Sequence, residues 1–204
     1  MAVNAAKATL KQGKTALFVC DMQEKFAKVI HEFDKITANS SKLVQACRIL
    51  DVPLIVTEQN PKALGKTISE LNIAGAKGPF AKTQFSMYIP EVIKELSSIC
   101  NNGPPESIIL IGIECHACVE NTAIDLKKNG YEVHAVADCC SSRTQEDRLL
   151  ALERMRHMGC HIATSENIIF KLLGDANHKD FKQVQSLVKT PTLNTGLVNI
   201  ISKI

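Results

Sequence analysis

The stretch Ser107-Ile-Ile-Leu-Ile-Gly-Ile-Glu-Cys-His-Ala-Cys-Val119 decides the fold. It begins with a continuous apolar run, which predicts a strand that is buried on both faces, as in a parallel sheet. Apolar residues then recur near helical spacing at Val119, Ala123 and Leu126, so a helix follows the strand after a short turn. Cys118 falls about at the start of this helix. A buried strand followed by a helix is the repeating unit of an α/β protein.

Strand-like and helix-like patterns alternate along the rest of the chain. Further buried strands are predicted at Thr15–Cys20, at residues 53–57 and 131–137, and at His161–Ala163. Helices are predicted at residues 36–50, at residues 91–99 after Pro90, and from Thr144 to a point near Gly159. This alternation implies parallel strands with helices on both faces. The predicted fold class is therefore α/β, a three-layer α/β/α sandwich with a mainly parallel, Rossmann-like central sheet.

The length and composition are those of one large α/β domain. The chain has 204 residues, of which 45% are hydrophobic and 22% are charged. We expect a single domain over residues 1–204, with residues 1–12 and 190–204 as peripheral tails. Residues 190–196 look like a linker, and residues 197–204 are an apolar segment. Two interpretations of that segment stay open: it docks on a partner subunit, or it packs on its own domain or is disordered.

Composition argues against several classes of protein. The net charge is +3, the lysines are scattered, and two Tyr, seven Phe and no Trp offer no stacking platform for nucleic acid. No apolar run is long enough to span a membrane, and the N-terminus lacks the apolar core of a secretory signal. The eight cysteines lie mostly inside apolar runs rather than in a spaced disulfide framework. We expect a soluble, cytoplasmic protein with reduced thiols, no nucleic-acid partner and no membrane partner.

Three segments place an acid, a cation and a thiol after apolar or glycine-containing stretches. They are Phe18-Val-Cys-Asp-Met-Gln23, Lys82-Thr-Gln-Phe-Ser86 and Gly112-Ile-Glu-Cys-His-Ala-Cys-Val119. Because loops at the strand ends of an α/β fold converge at a crevice, Asp21, Lys82 and Cys118 are candidate catalytic residues. A thiol at a helix start and near a lysine readily forms a nucleophilic thiolate. Each residue also has a structural interpretation: Cys118 as a buried apolar residue, Asp21 as a helix N-cap, and Lys82 as a solvated lysine.

Together these segments resemble the isochorismatase-like superfamily of cysteine hydrolases, over nearly the whole chain. The signature of the superfamily is an apolar strand ending in Asp-Met-Gln, a central Lys, and Gly-hydrophobic-four residues-Cys-Val followed by a Thr-Ala-containing helix. The last part reads Cys118-Val-Glu-Asn-Thr-Ala123 here. Within the superfamily the chain most resembles the isochorismatase domain-containing proteins of animals and protozoa. The segments that carry this likeness are Gly112-Ile-Glu with His116-Ala-Cys118, Asp138-Cys-Cys-Ser-Ser-Arg143 and Thr164-Ser-Glu166.

The resemblance implies a role for each catalytic candidate. The catalytic Asp, Lys and nucleophilic Cys of the superfamily fall on Asp21, Lys82 and Cys118. A non-proline cis peptide bond would join Ile113 to Glu114, and the backbone N–H groups of Glu114 and Cys118 would form an oxyanion hole. The implied reaction is hydrolysis of an amide-type bond through a thioester on the cysteine, with the aspartate serving in turn as base and acid.

The resemblance further implies a small-molecule substrate, no cofactor, and a homo-oligomer in which a neighbouring subunit completes a compact cleft. Gln23, Phe26, Phe85 and His116 lie close in sequence to the catalytic candidates, and we take them as candidate pocket residues. Phe26 and Phe85 suit the hydrophobic core equally well, and His116 equally suits the surface.

No metal site is expected. Nicotinamidases of the superfamily bind a metal ion through an Asp-x-His motif and a second histidine. The corresponding region of this chain reads Thr57-Glu-Gln-Asn-Pro61, and no histidine lies between His31 and His116. Nicotinamide is therefore a poor candidate substrate. A zinc site made from the cysteines and His161 would need a second C-x-x-C pair, which the chain lacks.

Two functions of other classes stay open. Cys115-His-Ala-Cys118 is a C-x-x-C motif, which suits a redox dithiol in which Cys115 resolves an oxidised Cys118. The superfamily register, however, makes Cys118 the nucleophile and Cys115 a bystander. The other alternative is a noncatalytic binding or scaffold protein that has kept the fold, against which the intact set of catalytic candidates argues.

Overall fold

The computed structural model describes residues 8–101 and 103–196, and a parallel β-sheet lies at the centre of this part of the chain. Its strands are β1 (Thr15–Cys20), β2 (Leu54–Gln59), β3 (Lys77–Lys82), β4 (Ser107–Gly112), β5 (Glu132–Cys140) and β6 (His161–Ala163). Their order across the sheet is β3-β2-β1-β4-β5-β6, and every neighbouring pair is parallel. The predicted α/β class with a parallel sheet is confirmed.

Helices connect the strands. They are α1 (Phe33–Ile49), α2 (Pro61–Leu64), α3 (Pro90–Leu96), α4 (Glu120–Lys128), α5 (Gln145–His157), α6 (Ser165–Leu173) and α7 (Phe181–Val188). Thr144 caps α5 by accepting a hydrogen bond from the amide of Asp147, as the spacing of these two residues predicted. Between β4 and α4 the chain makes a π-helical turn, Cys115–Val119, so the helical segment that carries Cys118 begins three residues before it.

The helices form a layer on each face of the sheet. In β1, Leu17 and Val19 point to one face and pack in a hydrophobic cluster with α1, α6 and α7. Ala16, Phe18 and Cys20 point to the other face and pack with α3, α4 and α5. Both faces of the strand are therefore buried, which explains why its sequence is apolar without alternation. The three-layer α/β/α architecture is confirmed.

Sequence patterns did not predict β3, α6 and α7. The strand β3 reads Lys-Gly-Pro-Phe-Ala-Lys and is mostly exposed, because it lies at the edge of the sheet, where proline and charged residues are tolerated. Helix α6 contains a compact apolar run, and α7 has only eight residues, so neither shows a long helical period. The edge strand matters for the site, since Lys82 is its last residue.

Hydrogen bonds attach the linker-like residues 190–196 to the domain, and the predicted boundaries of the peripheral tails stay a prediction. Asn39 donates to the Leu193 carbonyl oxygen at 3.0 Å and accepts from the Leu193 amide at 2.9 Å. The buried Arg148 donates to the carbonyl oxygen and to the hydroxyl of Thr195, at 2.9 Å each. Residues 1–7 and 197–204 lie outside the described residues, so the docking of the apolar segment stays a prediction. No helix in the described part of the chain is long and apolar enough to cross a membrane.

Candidate active site

The order of the strands places the topological switch point between β1 and β4. From β1 the chain proceeds through β2 to β3 on one side, and from β4 through β5 to β6 on the other. In open α/β sheets, ligands bind outside the carboxyl ends of the strands at such a point. Asp21 directly follows β1, and the turn that contains Cys118 directly follows β4. Both candidates thus lie where the topology favours a binding crevice.

Gly112 allows the ends of β1 and β4 to approach each other closely. It pairs with Cys20 in the sheet register and has a φ angle of 129°. A Cβ atom at this position would lie 2.0 Å from the carbonyl oxygen of Cys20. Any side chain here would therefore push apart the two strand ends that carry the acid and the thiol.

The carboxylate of Asp21 is buried and has two side-chain partners. Its Oδ2 atom accepts a hydrogen bond from Lys82 Nζ at 2.6 Å, and its Oδ1 atom accepts from the Thr57 hydroxyl at 2.8 Å. The N-cap interpretation is wrong, because Gln23 occupies the cap position of the next helical turn, Glu24–Phe26. Asp21 is instead one half of a buried ion pair.

Lys82 is the other half of this pair, and its side chain is only 1% exposed. Its Nζ atom also donates to Gln59 Oε1 at 2.8 Å, to the Phe85 carbonyl oxygen at 2.9 Å and to the Gln84 carbonyl oxygen at 3.3 Å. Burial acts to lower the Lys82 pKa, but nearby Cys20, Asp21 and Cys118 outweigh it, so the pKa is raised. The interpretation of Lys82 as a solvated lysine is wrong, since it is a fixed internal cation.

Two glutamines hold this cation in place. Gln59 accepts from Lys82 Nζ and donates to the Thr83 carbonyl oxygen at 2.7 Å. Gln23 in turn donates to the Gln59 carbonyl oxygen at 3.0 Å and accepts from the Gln59 amide at 2.8 Å. A further hydrogen bond from Gln23 reaches the Gly65 carbonyl oxygen at 2.8 Å. Gln23, a candidate pocket residue, is therefore buried and hydrogen-bonded to the main chain beneath the site.

Cys118 lies in the π-helical turn and is 6% exposed. π-Helical turns occur frequently at functional sites. The Thr122 hydroxyl donates to the Cys118 carbonyl oxygen at 2.6 Å and accepts from the Met87 amide at 2.9 Å. This threonine connects the thiol turn to the loop that follows Lys82, so the cation and the thiol are positioned together. The peptide bond between Ile113 and Glu114 is cis, as the resemblance implied.

The two cysteines of the C-x-x-C motif have different neighbours. Cys20 is completely buried and belongs to the same hydrophobic cluster as Cys118. The Cys115 thiol lies 3.8 Å from the Arg148 carbonyl oxygen. Burial is the main cause that raises the Cys20 pKa well above its ordinary value, and Cys118 raises it further. For Cys115, the neighbouring Cys140 is the main cause that raises the pKa well above its ordinary value.

The remaining candidate pocket residues differ in their surroundings. Phe26 is partly buried and packs against the hydrophobic core. Phe85 is 58% exposed, so its assignment to the core is wrong, although its carbonyl oxygen contacts Lys82. His116 is half-buried, and its Nδ1 atom lies 2.9 Å from the Ser142 hydroxyl.

Glu114 lies at the start of the thiol turn, where the oxyanion hole is predicted. Its carboxylate accepts from the amide and from Nε of Arg143, at 3.1 and 3.2 Å. The next two amides are engaged: Cys115 donates to Ser141 at 2.8 Å, and His116 lies 3.4 Å from the Ser142 hydroxyl. Within the described residues, no hydrogen bond is found from the Glu114 amide. This amide is therefore free to donate to a substrate oxygen.

Sequence patterns did not predict Thr57, Gln59 or Cys20 as part of the site. Thr57 and Gln59 follow the apolar part of β2, and only the pairing of β1 with β2 brings Thr57 beside Asp21. Cys20 looks like an ordinary residue of a buried strand. In the described part of the chain, no group of three His, Cys, Asp or Glu side chains is arranged to hold a metal ion.

The parallel sheet of this order is that of an α/β protein, and solved structures with the same fold include isochorismatase-like proteins. The family model of the Isochorismatase domain matches residues 15–167, and the chain belongs to this family. The predicted membership is thereby confirmed.

Named relatives cover most of the chain. It is 48% identical to isochorismatase domain-containing protein 2 of Xenopus laevis over 191 residues, which are 94% of this chain and 91% of the relative. Among solved structures, the MAR1 ribonuclease of Caenorhabditis elegans is 43% identical with a TM-score of 0.86, over 93% of this chain and 96% of that chain. The YcaC protein of Escherichia coli, described as an octameric hydrolase of unknown specificity, has a TM-score of 0.75 at 19% identity. The match covers 89% of this chain and 97% of YcaC, and it shows the shared fold alone.

Proposed function

We propose that this protein is a cysteine hydrolase that acts on a small amide-type (C–N) or related carbonyl substrate. Cys118 is the nucleophile, and Asp21 and Lys82 are its catalytic partners. The observation that carries the proposal is the buried ion pair of Asp21 and Lys82, 2.6 Å between charged atoms, close enough to Cys118 to interact with it electrostatically. The position of Asp21 and of the thiol turn at the switch point of the sheet supports this assignment.

The first half of the reaction forms a thioester. Asp21 accepts the thiol proton of Cys118, and the resulting thiolate attacks the carbonyl carbon of the substrate. Lys82 stabilises the negative charge while the proton is on Asp21. The C–N bond then breaks as Asp21 returns the proton to the departing amine. Each carboxylate oxygen of Asp21 keeps a second lone pair beside its hydrogen bond to Lys82 or Thr57, so it has room for this proton.

The second half of the reaction hydrolyses the thioester. A water molecule gives a proton to Asp21 as its oxygen attacks the thioester carbonyl, and the C–S bond breaks to release the acid product. The proton then returns from Asp21 to Cys118. In both halves, the amides of Glu114 and Cys118 would donate to the oxyanion of the tetrahedral intermediate, a role that suits the unengaged amide of Glu114.

The substrate class is limited by the small opening of the site. Counted over the whole residue, Cys118 is 6% exposed, Lys82 5% and Asp21 0%, so a reacting carbonyl must reach atoms that lie almost wholly beneath the surface. We propose a small substrate, without a cofactor, and a homo-oligomer in which a second copy contributes to the cleft wall. We further propose that the protein works in the cytoplasm, where its eight unpaired, buried cysteines would stay reduced.

The first experiment measures alkylation of each cysteine by mass spectrometry between pH 5 and 9. We expect Cys118 to react first, because the proposed nucleophile is activated by its partners. Lys82→Met should slow the alkylation of Cys118 because it removes a cation of the site. The matched control, Cys115→Ala, should leave the profile of Cys118 unchanged. An inert Cys118, or one that reacts only together with Cys115, would contradict the hydrolase proposal.

The second experiment searches for turnover with a library of small amides and detects released ammonia or amine. Cys118→Ala and Asp21→Asn should abolish hydrolysis, and intact-mass measurement of the wild type should find an acyl group on Cys118. If acylation is seen without release, the protein forms the thioester but does not hydrolyse that substrate. If no amide acylates Cys118, the amidase proposal fails, and a noncatalytic or redox function takes its place.

A second candidate function is ribonuclease activity, because the relative in Caenorhabditis elegans at 43% identity is described as a ribonuclease. The scattered charge and the scarcity of aromatic residues offer little support for RNA binding. Incubation with labelled RNA tests this function directly. Cleavage that is lost in Asp21→Asn would favour ribonuclease activity over the amidase proposal, whereas cleavage that survives in this variant would indicate contamination.

A further inference from the structure

The orientation of the Asp21 carboxylate matters for every proton transfer in the proposed reaction. A proton passes between a catalytic group and its substrate only within hydrogen-bond reach, about 2.6–3.2 Å between heavy atoms. The terminal torsion of an aspartate side chain has a broad energy minimum, so a contact at one oxygen alone leaves the carboxylate plane free to turn. A fixed orientation therefore needs a contact at each of the two oxygens.

Each oxygen of Asp21 has one side-chain donor. Lys82 Nζ donates to Oδ2 at 2.6 Å, and the Thr57 hydroxyl donates to Oδ1 at 2.8 Å. Lys82 cannot hold both oxygens, because its three N–H bonds are already matched by acceptors. These acceptors, within 2.9 Å of Nζ, are Asp21 Oδ2, Gln59 Oε1 and the Phe85 carbonyl oxygen. In the described part of the chain, Thr57 is the one side chain that donates to Oδ1.

Thr57 is itself fixed by the sheet. It lies in β2, it is completely buried, and it pairs with Cys20 in the register of β1 and β2. Its carbonyl oxygen accepts a hydrogen bond from the Asp21 amide at 3.2 Å. A single residue of the neighbouring strand thus contacts both the main chain and the carboxylate of Asp21. The chemistry proposed for Asp21, Lys82 and Cys118 assigns no role to this hydroxyl.

We propose that Thr57 is a positioning residue, whose hydroxyl orients the Asp21 carboxylate so that a free lone pair faces the proton to be transferred. This inference rests on the proposed function, since it assumes that Asp21 exchanges protons with Cys118, the departing amine and water. A hydroxyl suits this position because it can donate to a carboxylate and can also accept from a carboxylic acid. Thr57 therefore keeps its contact with Asp21 in both protonation states.

A purely structural role for Thr57 makes the opposite prediction. Branched residues such as threonine suit strands whatever the chemistry nearby, and a buried hydroxyl needs some hydrogen-bond partner. Valine keeps the branched shape and loses the hydroxyl, whereas serine keeps the hydroxyl and loses a methyl group. If the shape matters, Thr57→Val should preserve activity better than Thr57→Ser. If the hydroxyl orients Asp21, the order should be reversed.

The test is steady-state hydrolysis by the full chain, with release of ammonia or amine as the readout. The probe is the small amide that the wild type hydrolyses fastest in the library. We expect Thr57→Val to lower kcat about tenfold and to change KM less than about twofold, because a misplaced catalytic group slows the chemistry rather than binding. Thr57→Ser should keep kcat within about threefold of the wild type.

The matched control is Thr15→Val, at the opposite end of β1 from Asp21. Thr15 is also completely buried, and its hydroxyl donates to the Lys11 carbonyl oxygen at 2.7 Å. This variant loses the same chemical group from a strand of the same sheet, but far along the strand from the site. It should leave kcat and KM unchanged.

Each outcome decides the proposal. A kcat of Thr57→Val equal to that of the wild type, a change confined to KM, or a loss in Thr57→Ser as large as that in Thr57→Val would overturn it. Thermal unfolding shows whether each variant is folded, and Thr57→Ala, which also lacks the hydroxyl, replaces Thr57→Val if that variant does not fold.

The failure of this inference is distinguishable from the failure of the proposed function. If the wild type hydrolyses no amide in the library, the proposed function fails, and the role of Thr57 fails with it. If the wild type hydrolyses an amide and Thr57→Val does so equally well, only the role of Thr57 fails.

Discussion

The variant Lys82→Met tests the buried ion pair, because it removes the cation and keeps a side chain of similar length. In the wild-type protein, the side chains of Asp21 and Lys82 are each 1% exposed, and their charged atoms lie 2.6 Å apart. Without the ammonium group, the Asp21 carboxylate stays in the interior with the Thr57 hydroxyl as its remaining side-chain partner. Breaking a buried pair on one side costs about 3–5 kcal/mol of unfolding free energy. We expect a loss of this size at neutral pH.

A double-mutant cycle separates the interaction energy between Asp21 and Lys82 from the effect that each substitution has on other contacts. Asp21→Asn removes the negative charge and keeps an oxygen that can accept from Thr57. The double variant Asp21→Asn/Lys82→Met leaves no unpaired charge, although Gln59 Oε1 still loses its donor. We therefore expect the double variant to be more stable than the sum of the single effects by about 1–3 kcal/mol.

The assay is urea unfolding under reducing conditions, followed by circular dichroism at pH 7 and pH 5. The same measurement at pH 5 shows whether the loss in Lys82→Met depends on pH. The control is Lys94→Met on the exposed face of α3, with an expected effect within about 0.5 kcal/mol. A Lys82→Met effect as small as the control, or a strictly additive cycle, would refute the reasoning.

Three further predictions concern other parts of the fold. Burial lowers the pKa of His134 to about 3, so the unfolded chain binds a proton there near pH 6.5 and the folded chain does not. The free energy of unfolding should therefore fall by up to about 5 kcal/mol as the pH drops from about 6.5 to about 3. If the free energy of urea unfolding depends on pH in His134→Phe as it does in the wild type, this prediction is contradicted. Gly112→Ala should lose about 3 kcal/mol through its clash with the main chain. Gly130 also has a positive φ, 85° against 129° at Gly112, but lies in open space, so Gly130→Ala should lose less. Equal losses in the two variants would argue against the clash. After mild peroxide treatment, non-reducing peptide mapping should find no disulfide between Cys115 and Cys118, and its appearance would support the redox alternative.

The part of the fold that sequence patterns could predict is the part that is buried on both faces. The strands Thr15–Cys20 and Ser107–Gly112 are continuous apolar runs, and both were predicted because a central parallel strand has helices on each side. The positions of Asp21 and of the turn at Cys118 follow from these two strands. Neighbouring parallel strands end at the same edge, so the residues after them meet.

The residues that sequence patterns missed depend on pairing across the sheet. Lys82 was itself a candidate, but the exposed edge strand that it ends was missed because its composition resembles a loop. Thr57 contacts Asp21 because it pairs with Cys20 in the register of β1 and β2, and no local pattern contains that register. Gln59 likewise contacts Lys82 because these two residues are partners in the register of β2 and β3. A side chain becomes part of this site through its strand neighbour rather than through its own sequence context.

The same geometry explains why the structure indicates the type of reaction more closely than it indicates the substrate. The proposed reacting groups lie at or after strand ends, where the sheet constrains their positions, and an acid, a cation and a thiol there support the proposed kind of reaction. The surrounding walls come from loops, where Phe85 is 58% exposed and His116 is held through a serine hydroxyl. Loop side chains can change without moving the strand ends, so they set the substrate independently of the reaction. A substrate screen should therefore keep the small amide constant and vary the group attached to its carbonyl carbon.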